Sequence, residues 1–186
     1  DKSVFELSED VFVSVNLDLG SVVDENYLKE LEEKENSRKA FHSALSLLNY
    51  RMRSTAELRK RLDEKGYNPD TIERVMQKLE EKKFLDDDAF ARAFIHDKIN
   101  SRLLGPVALR RELIPHKLDS ELVEKLIQQS YEETSEEEIV ERLIEKRRIT
   151  KGQKLTKKEK NRLLNYLQRR GHTWGVISIV FDKWSI

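Results

Sequence analysis

The chain has 186 residues, of which 38% are apolar and 38% are charged, and its formal net charge is zero. It contains no cysteine, which excludes disulfide bonds and thiolate zinc sites and is typical of a cytoplasmic protein. No apolar run approaches the ~20 residues of a membrane helix, so we expect no membrane association. The composition favours narrow cores between short amphipathic helices over a central buried sheet.

Charge is segregated along the chain. Residues 1–40 hold 11 acidic and 5 basic residues, a balance of −6. Residues 142–170 hold 12 basic and 2 acidic residues, a balance of +10. This asymmetry indicates an anionic partner at the basic end, with nucleic acid as the first candidate. The alternative interpretation is a set of solvated helix faces, which are commonly rich in lysine and arginine.

The amino-terminal section, residues 1–38, is predicted to form a short β-hairpin followed by a helix. Apolar residues alternate with polar ones at Phe5 and Leu7 and again from Val11 to Val15, which is the pattern of half-buried strands. Helical spacing begins after Asp24. The charged run at residues 30–35 either continues that helix or forms a linker.

Residues 40–84 are predicted to form three helices. Ser54 is followed three residues later by Glu57, which is the pattern of a capping box at a helix start. Gly66 is placed to adopt the left-handed conformation that ends a helix. Asn68 followed by Pro69 then indicates the start of the next helix.

This three-helix stretch recurs twice. A shift of 51 residues places Leu58 on Leu109, and a further 54 residues place it on Leu163. The slot of Gly66 is taken by Lys117 in the second copy. A period near 50 residues is typical of a repeat array. We therefore predict a mainly α fold, in which tandem three-helix repeats form an elongated, curved helical array, with repeats over residues 39–86, 87–133 and 134–186.

Signals of catalysis and metal binding are weak. The four histidines lack a metal-like spacing and are interpreted as surface or partly packed residues. The run Asp86–Asp88 is assigned to helix capping, where the helix dipole favours negative charge. The glycines form neither a Walker loop nor a dinucleotide fingerprint. Trp174 and Trp184 are predicted to lie in the core. We expect neither enzyme activity nor a cofactor or metal.

The remaining signal is the distribution of basic residues over the three repeats. A helical array with a basic strip can follow a phosphate backbone or lie along a protein filament. The candidate nucleic-acid or filament contacts are Arg51, Arg53, Arg59, Lys60, Arg102, Arg110, Arg111, Arg147, Arg148, Lys151, Lys154, Lys157, Lys158, Lys160, Arg162, Arg169 and Arg170.

Two segments resemble the signature of the RecX family of regulatory proteins. They are ALSLLNYRMRSTAELRKRLDEKGY at residues 44–67 and VMQKLEEKKFLDDDAFARAF at residues 75–94. The resemblance extends from Gly20 to the carboxyl end. It departs from the family pattern at IPHKL, residues 114–118, where a Lys-Gly-apolar step is usual.

The resemblance implies a modulator of the RecA recombinase that is generally inhibitory. Such proteins are thought to lie in the groove of the RecA–DNA filament and to restrain its ATPase, strand exchange and repressor cleavage in recombination, DNA repair and the SOS response. Single- and double-stranded DNA would be bound without strong sequence preference. The protein would act as a monomer in the cytoplasm.

Two other classes of function remain open from the residues alone. One is an autonomous DNA-binding protein of the helix-turn-helix type, since three-helix units include such modules. The other is a structural helical scaffold, in which the basic clusters would be dispensable. Binding to DNA and RecA distinguishes the three classes.

Overall fold

The computed structural model describes residues 6–15, 17, 20 and 22–186, and within them the secondary structure is entirely helical. A short 3₁₀ helix covers Ile114–His116. The α-helices are α1 Glu9–Ser14, α2 Glu25–Tyr50, α3 Thr55–Glu64, α4 Pro69–Glu81, α5 Asp87–Arg102, α6 Pro106–Leu113, α7 Ser120–Glu133, α8 Glu136–Lys146, α9 Lys157–Arg169 and α10 Trp174–Trp184.

The predicted amino-terminal hairpin is wrong over the described residues, because α1 occupies the position of the second strand. Phe5, in the first strand, lies outside the described residues. The alternation that suggested a strand also places Val11 and Val15 four residues apart, on one side of a helix. Both side chains are buried beside Leu31, whereas Val13 is exposed. Contact with α2 therefore selects the helical period.

Helix α2 is one continuous element, so the charged run at residues 30–35 is helical and not a linker. Asp24 caps its amino end by accepting a hydrogen bond from the Tyr27 backbone N–H at 2.7 Å. The predicted boundary between residues 38 and 39 falls inside this helix. Its first half packs against α1, and its second half is the first helix of the first repeat.

The first repeat consists of the second half of α2 with α3 and α4. Ser54 and Asn68 cap α3 and α4, each side-chain oxygen accepting a backbone N–H three residues later. The caps bring the apolar faces of the helices together around one cluster. Its buried members are Ala40, Ala44, Leu58, Leu62, Ile72, Val75, Met76 and Leu79.

The second repeat consists of α5, α6 and α7, and the third of α8, α9 and α10. Unlike the first repeat, these two share a single hydrophobic cluster. The chain accordingly divides into two compact units, residues 1–86 and 87–186. Within the second unit, the backbone N–H of Gly105 donates to the Arg170 carbonyl at 2.8 Å, which joins the start of α6 to the end of α9.

One residue in the turn after each middle helix takes a left-handed backbone conformation, at equivalent positions of the three repeats. Gly66 has φ +84°, Lys117 has φ 51° and Gly171 has φ +90°. The second copy thus keeps the left-handed step without glycine. Pro115, which cannot continue the α-helical ladder, lies in the 3₁₀ turn just before it.

Candidate nucleic-acid interface

Two candidate arginines form equivalent salt bridges in the first two repeats. Arg59 on α3 pairs with Glu73 on α4, and Arg110 on α6 pairs with Glu124 on α7 through contacts of 2.5 and 2.7 Å. The hydrogen bond from Arg110 lowers the pKa of Glu124 and raises the pKa of Arg110. Each pair joins the middle helix of its repeat to the third helix, so these guanidinium charges are already partly balanced.

Arg51 and Arg53 converge on Glu57, which lies three residues after the Ser54 cap. The Arg53 side chain is only 7% exposed, and its Nε donates to the Leu47 carbonyl at 3.1 Å. Burial alone would raise the pKa of Glu57, but hydrogen bonds and charge from the two arginines lower it. The pair thus anchors the turn between α2 and α3.

The other candidates of the first two repeats are less uniform. Arg102 contacts Glu112 at 2.8 Å, and Lys60 lies 3.8 Å from Glu64. Arg111 is exposed and forms no ion pair with any described residue. Six of the seven candidates in these repeats therefore have a carboxylate partner.

The third repeat differs in this respect. Over the described part of the chain, none of its candidate cations has an aspartate or glutamate oxygen within 4.0 Å. The third repeat has no salt bridge equivalent to Arg59–Glu73 between its middle and third helices, because Leu164 and Ser178 occupy those two positions. The unpaired candidates are Arg147, Arg148, Lys151, Lys154, Lys157, Lys158, Lys160, Arg162, Arg169 and Arg170.

Helix α9 is extended at its amino end by about one turn relative to α3 and α6. It has 13 residues, compared with 10 in α3 and 8 in α6. A complete capping box between Thr156 and Glu159 begins the helix. The added turn carries Lys157 and Lys158, which are exposed. Lys160 follows it, and its Nζ donates to the Ile186 carbonyl at 2.7 Å.

The loop between α8 and α9 has a defined backbone. Arg148 and Gly152 take positive φ angles of 60° and 76°, and the Gly152 N–H donates to the Trp184 carbonyl at 2.7 Å. The ammonium group of Lys151 lies 5.4 Å from the centre of the Trp184 ring. Lys151 is therefore held against α10.

Tyr166 on α9 organises two of the arginines. The Arg147 guanidinium lies 4.0 Å and the Arg170 guanidinium 5.5 Å from the centre of its ring. The negative face of an aromatic ring attracts cations, so the ring holds both without neutralising either. Tyr166 was not among the candidates. Its spacing of four residues from Arg162 and from Arg170 was a local signal, but the contact with Arg147 comes from the end of α8.

We call the exposed cations of this loop and of α9, together with the two arginines on Tyr166, the basic strip. Lys158 and Arg162 are one turn apart on α9, and Arg169 follows two turns later on the same side. The strip comprises Arg147, Arg148, Lys151, Lys154, Lys157, Lys158, Arg162, Arg169 and Arg170. It is a row of positive charge along one loop and one helix.

Comparison of the second and third repeats shows how this side of α9 differs from the same side of α6. The residue of α6 equivalent to Arg162 is Ala108, which is buried against Gly171 of the third repeat. Arg162 itself is exposed. Solubility favours polar residues on an exposed helix face, but it does not explain why the charges here are almost all basic.

Two predictions about side chains near this junction are wrong. Trp174, predicted to be in the core, is 55% exposed at the first position of α10, whereas Trp184 is buried as expected. His172, interpreted as a surface or partly packed residue, is buried. Its Nδ1 lies 3.0 Å from a Glu136 carboxylate oxygen and its Nε2 3.2 Å from the Leu103 carbonyl oxygen. His172 thereby joins the second repeat to the third.

Within the part of the chain that the structure describes, histidines, aspartates and glutamates form no group of three or more that could hold a metal ion. Asp86 precedes α5 directly, at the position of a cap. Among the described helices, none combines the length and hydropathy needed to cross a membrane.

Three family models match the chain in consecutive segments. Residues 40–79 match "RecX, first three-helix domain", residues 86–127 match "RecX, second three-helix domain" and residues 135–181 match "RecX, third three-helix domain". Together they account for more than half of the chain.

Relatives and solved structures agree with these matches. The regulatory protein RecX of Bacillus subtilis (strain 168) is 34% identical over 98% of this chain and 69% of its own length. The regulatory protein RecX of Halalkalibacterium halodurans is 35% identical over 97% of this chain and 68% of its own length. A crystal structure of a regulatory protein RecX covers 96% of this chain and 88% of its own, with a TM-score of 0.77 at 23% identity. A crystal structure of RecX from Lactobacillus salivarius covers 82% of this chain and 98% of its own, with a TM-score of 0.67 at 18% identity. At such identities the structures support the fold.

Proposed function

Because the chain belongs to the RecX family of regulatory proteins, we propose that it binds RecA–DNA filaments and lowers their ATPase activity. Strand exchange and repressor cleavage by RecA would fall in parallel, in recombination, DNA repair and the SOS response. The protein would act without catalysis of its own, as a monomer in the cytoplasm. The chain spans about two thirds of the length of the curated relatives it matches.

The observation that carries the proposal is the contrast between paired and unpaired cations. In the first two repeats most candidate arginines are bound to carboxylates, whereas no carboxylate among the described residues lies within ion-pair distance of the basic strip. Unpaired cations release counterions when they meet phosphates, which is the main source of affinity in non-specific binding to nucleic acid. We therefore assign the DNA contact to the third repeat. Because phosphates carry no sequence information, binding to single- and double-stranded DNA would be nearly independent of sequence.

The test compares two variants with the same loss of charge. Arg162→Gln with Arg169→Gln removes two cations of the basic strip. The control, Arg59→Gln with Arg102→Gln, removes two cations that are paired within the protein. The control should cost little stability, since exposed ion pairs contribute about 0–1 kcal/mol.

We expect the strip variant to bind single-stranded DNA about tenfold more weakly at physiological salt, with a salt slope smaller by about 1.4. It should inhibit RecA ATPase correspondingly less, whereas the control should behave as the unchanged protein. Equal losses in both variants would refute the assignment to the third repeat. Normal DNA binding by the unchanged protein without any effect on RecA ATPase would instead refute the proposed regulation of RecA.

A further inference from the structure

The outer side of α6 carries apolar side chains in contact with solvent. Val107 is 51% exposed and Ile114, directly after the helix, is 71% exposed. Arg110 and Arg111 lie between them on the same side of the helix. The opposite side packs into the core through Ala108, Leu109 and Leu113. We call Val107, Arg110, Arg111 and Ile114 the α6 outer face.

The repeats supply an internal comparison for this face. Val107 is replaced by Ala56 in α3 and by Asn161 in α9, and Ile114 is replaced by Asp63 and Gln168. The three-helix repeat therefore folds without large apolar residues at these positions. Their presence in the second repeat exposes apolar surface that the fold does not require.

A small cavity adjoins Ile114. It has a volume of about 190 Å³. Its apolar lining is Leu113 at the end of α6, Ile114, Leu118 before α7 and Val123 of α7, and its polar lining is Arg110, Lys117, Ser120 and Glu124. The left-handed conformation of Lys117 shapes its rim, because it turns the chain from Ile114–His116 toward α7. The cavity is of a size to accept one apolar side chain.

The charges around this face indicate the chemistry of a partner. Arg111 and Lys117 are exposed and pair with no carboxylate among the described residues, whereas Arg110 is held by Glu124. Arginine beside exposed apolar groups is typical of the centre of protein–protein interfaces. A phosphate backbone would complement the cations but would leave Val107 and Ile114 without an apolar contact.

We propose that the α6 outer face binds a protein surface in which an apolar side chain stands beside carboxylates. The apolar side chain would enter the cavity next to Ile114, and the carboxylates would pair with Arg111 and Lys117. This inference rests on the proposed function, in which the protein partner is a RecA protomer of the filament. The α6 outer face then contacts the recombinase, while the basic strip contacts DNA.

The first test replaces the two apolar residues by those of the third repeat, Val107→Asn with Ile114→Gln, in the full chain. Because both side chains are exposed, the melting temperature should stay close to that of the unchanged protein. We expect affinity for preformed RecA–single-stranded DNA filaments to fall at least tenfold and affinity for free single-stranded DNA to change less than twofold. Ile179→Gln is the matched control, since Ile179 is 50% exposed on α10 of the same unit.

The second test reverses one charge at equivalent positions of two repeats. Arg111→Glu should weaken filament binding, and Lys60→Glu, at the same position of the first repeat, should not. Unchanged filament binding by both α6 variants would overturn the inference. So would an equal loss of binding to free DNA, which would make the face a nucleic-acid contact. If the unchanged protein bound DNA but not RecA filaments, the proposed function would fall together with this inference.

Discussion

Gly105 and Gly171 approach so closely that neither position has room for a side chain. A Cβ atom on Gly105 would lie 2.4 Å from the backbone carbonyl of Gly171, and one on Gly171 would lie 2.3 Å from the backbone nitrogen of Ala108. The contact places the carboxyl end of α9 against the amino end of α6, so that carbonyls of one helix end accept N–H groups of the other. A sequence shift aligns Gly105 with the Ser54 cap, but it cannot show that glycine is required there by a residue 66 positions away.

We predict that Gly105→Ala destabilises the second unit by roughly 3 kcal/mol. The added methyl group would clash with backbone atoms, which cannot move aside as a flexible side chain can. Urea unfolding followed by circular dichroism measures the change. Gly175→Ala is the control, since nothing lies within 4 Å of a Cβ there and alanine is a better helix former by about 1 kcal/mol. Equal stability of Gly105→Ala and the unchanged protein would show that the helix ends are not held as described.

At the scale of single elements, α1 shows where local patterns are ambiguous. Residues 11, 13 and 15 satisfy the strand period, yet residues 11 and 15 also satisfy the helical one, and six residues are too few to decide. The structure adds Glu35 of α2, whose carboxylate accepts hydrogen bonds from the Ser8 N–H at 3.1 Å and the Ser8 hydroxyl at 2.7 Å. A contact 27 residues away thus fixes the start of α1. Helices with long amphipathic stripes and clear caps, such as α4, could be predicted from the sequence.

We predict that α1 detaches in acid before the first repeat unfolds. Burial would raise the pKa of Glu35, but hydrogen bonds from Ser8 and Arg38 and the charge of Arg38 lower it from 4.5 to about 2. A carboxyl group with a lowered pKa stabilises the fold above its unfolded pKa and loses that effect as the pH falls. The loss should therefore run from pH 4.5 down to about 2.

Amide hydrogen exchange measured over this range tests the prediction. Amides of α1 should lose protection while those near Leu58 keep it, and Glu35→Gln should remove the pH dependence of α1. Simultaneous loss of protection at both places would mean that Glu35 does not control α1 separately.

At the scale of the whole molecule, three sequence repeats form two compact units. The repeats could be predicted because each copy keeps the apolar positions that its own helices need. The core that the second and third repeats share could not be predicted from the sequence, because it depends on contacts between residues far apart in the chain. Examples are the contact between His172 Nε2 and the Leu103 carbonyl oxygen and the Arg170 guanidinium donating to the Arg102 carbonyl. The elongated, curved arrangement of the whole array stays a prediction, which small-angle X-ray scattering can test.

The shared core predicts how the chain can be divided. A fragment of residues 87–186 should unfold in a single cooperative transition, because it contains the complete cluster and every hydrogen bond of the α6–α9 junction. A fragment of residues 87–133 should have little stable helix, since a unit of roughly 50 residues buries too small a fraction of its surface to lose half of its core. Circular dichroism and thermal melting distinguish the two.

The 87–186 fragment should also bind single-stranded DNA with an affinity within about threefold of the full chain. It carries the whole basic strip, and each phosphate contact contributes independently to affinity. Most candidate arginines of the first repeat, which the fragment lacks, are paired internally. Residues 1–86 should fold as well, around their own two clusters, but bind DNA weakly. A well-folded 87–133 fragment would show that the second repeat does not depend on the third. Strong DNA binding by residues 1–86 would show that the ion pairs of the first repeat open to admit phosphate, and the assignment of DNA affinity to unpaired cations would then be wrong.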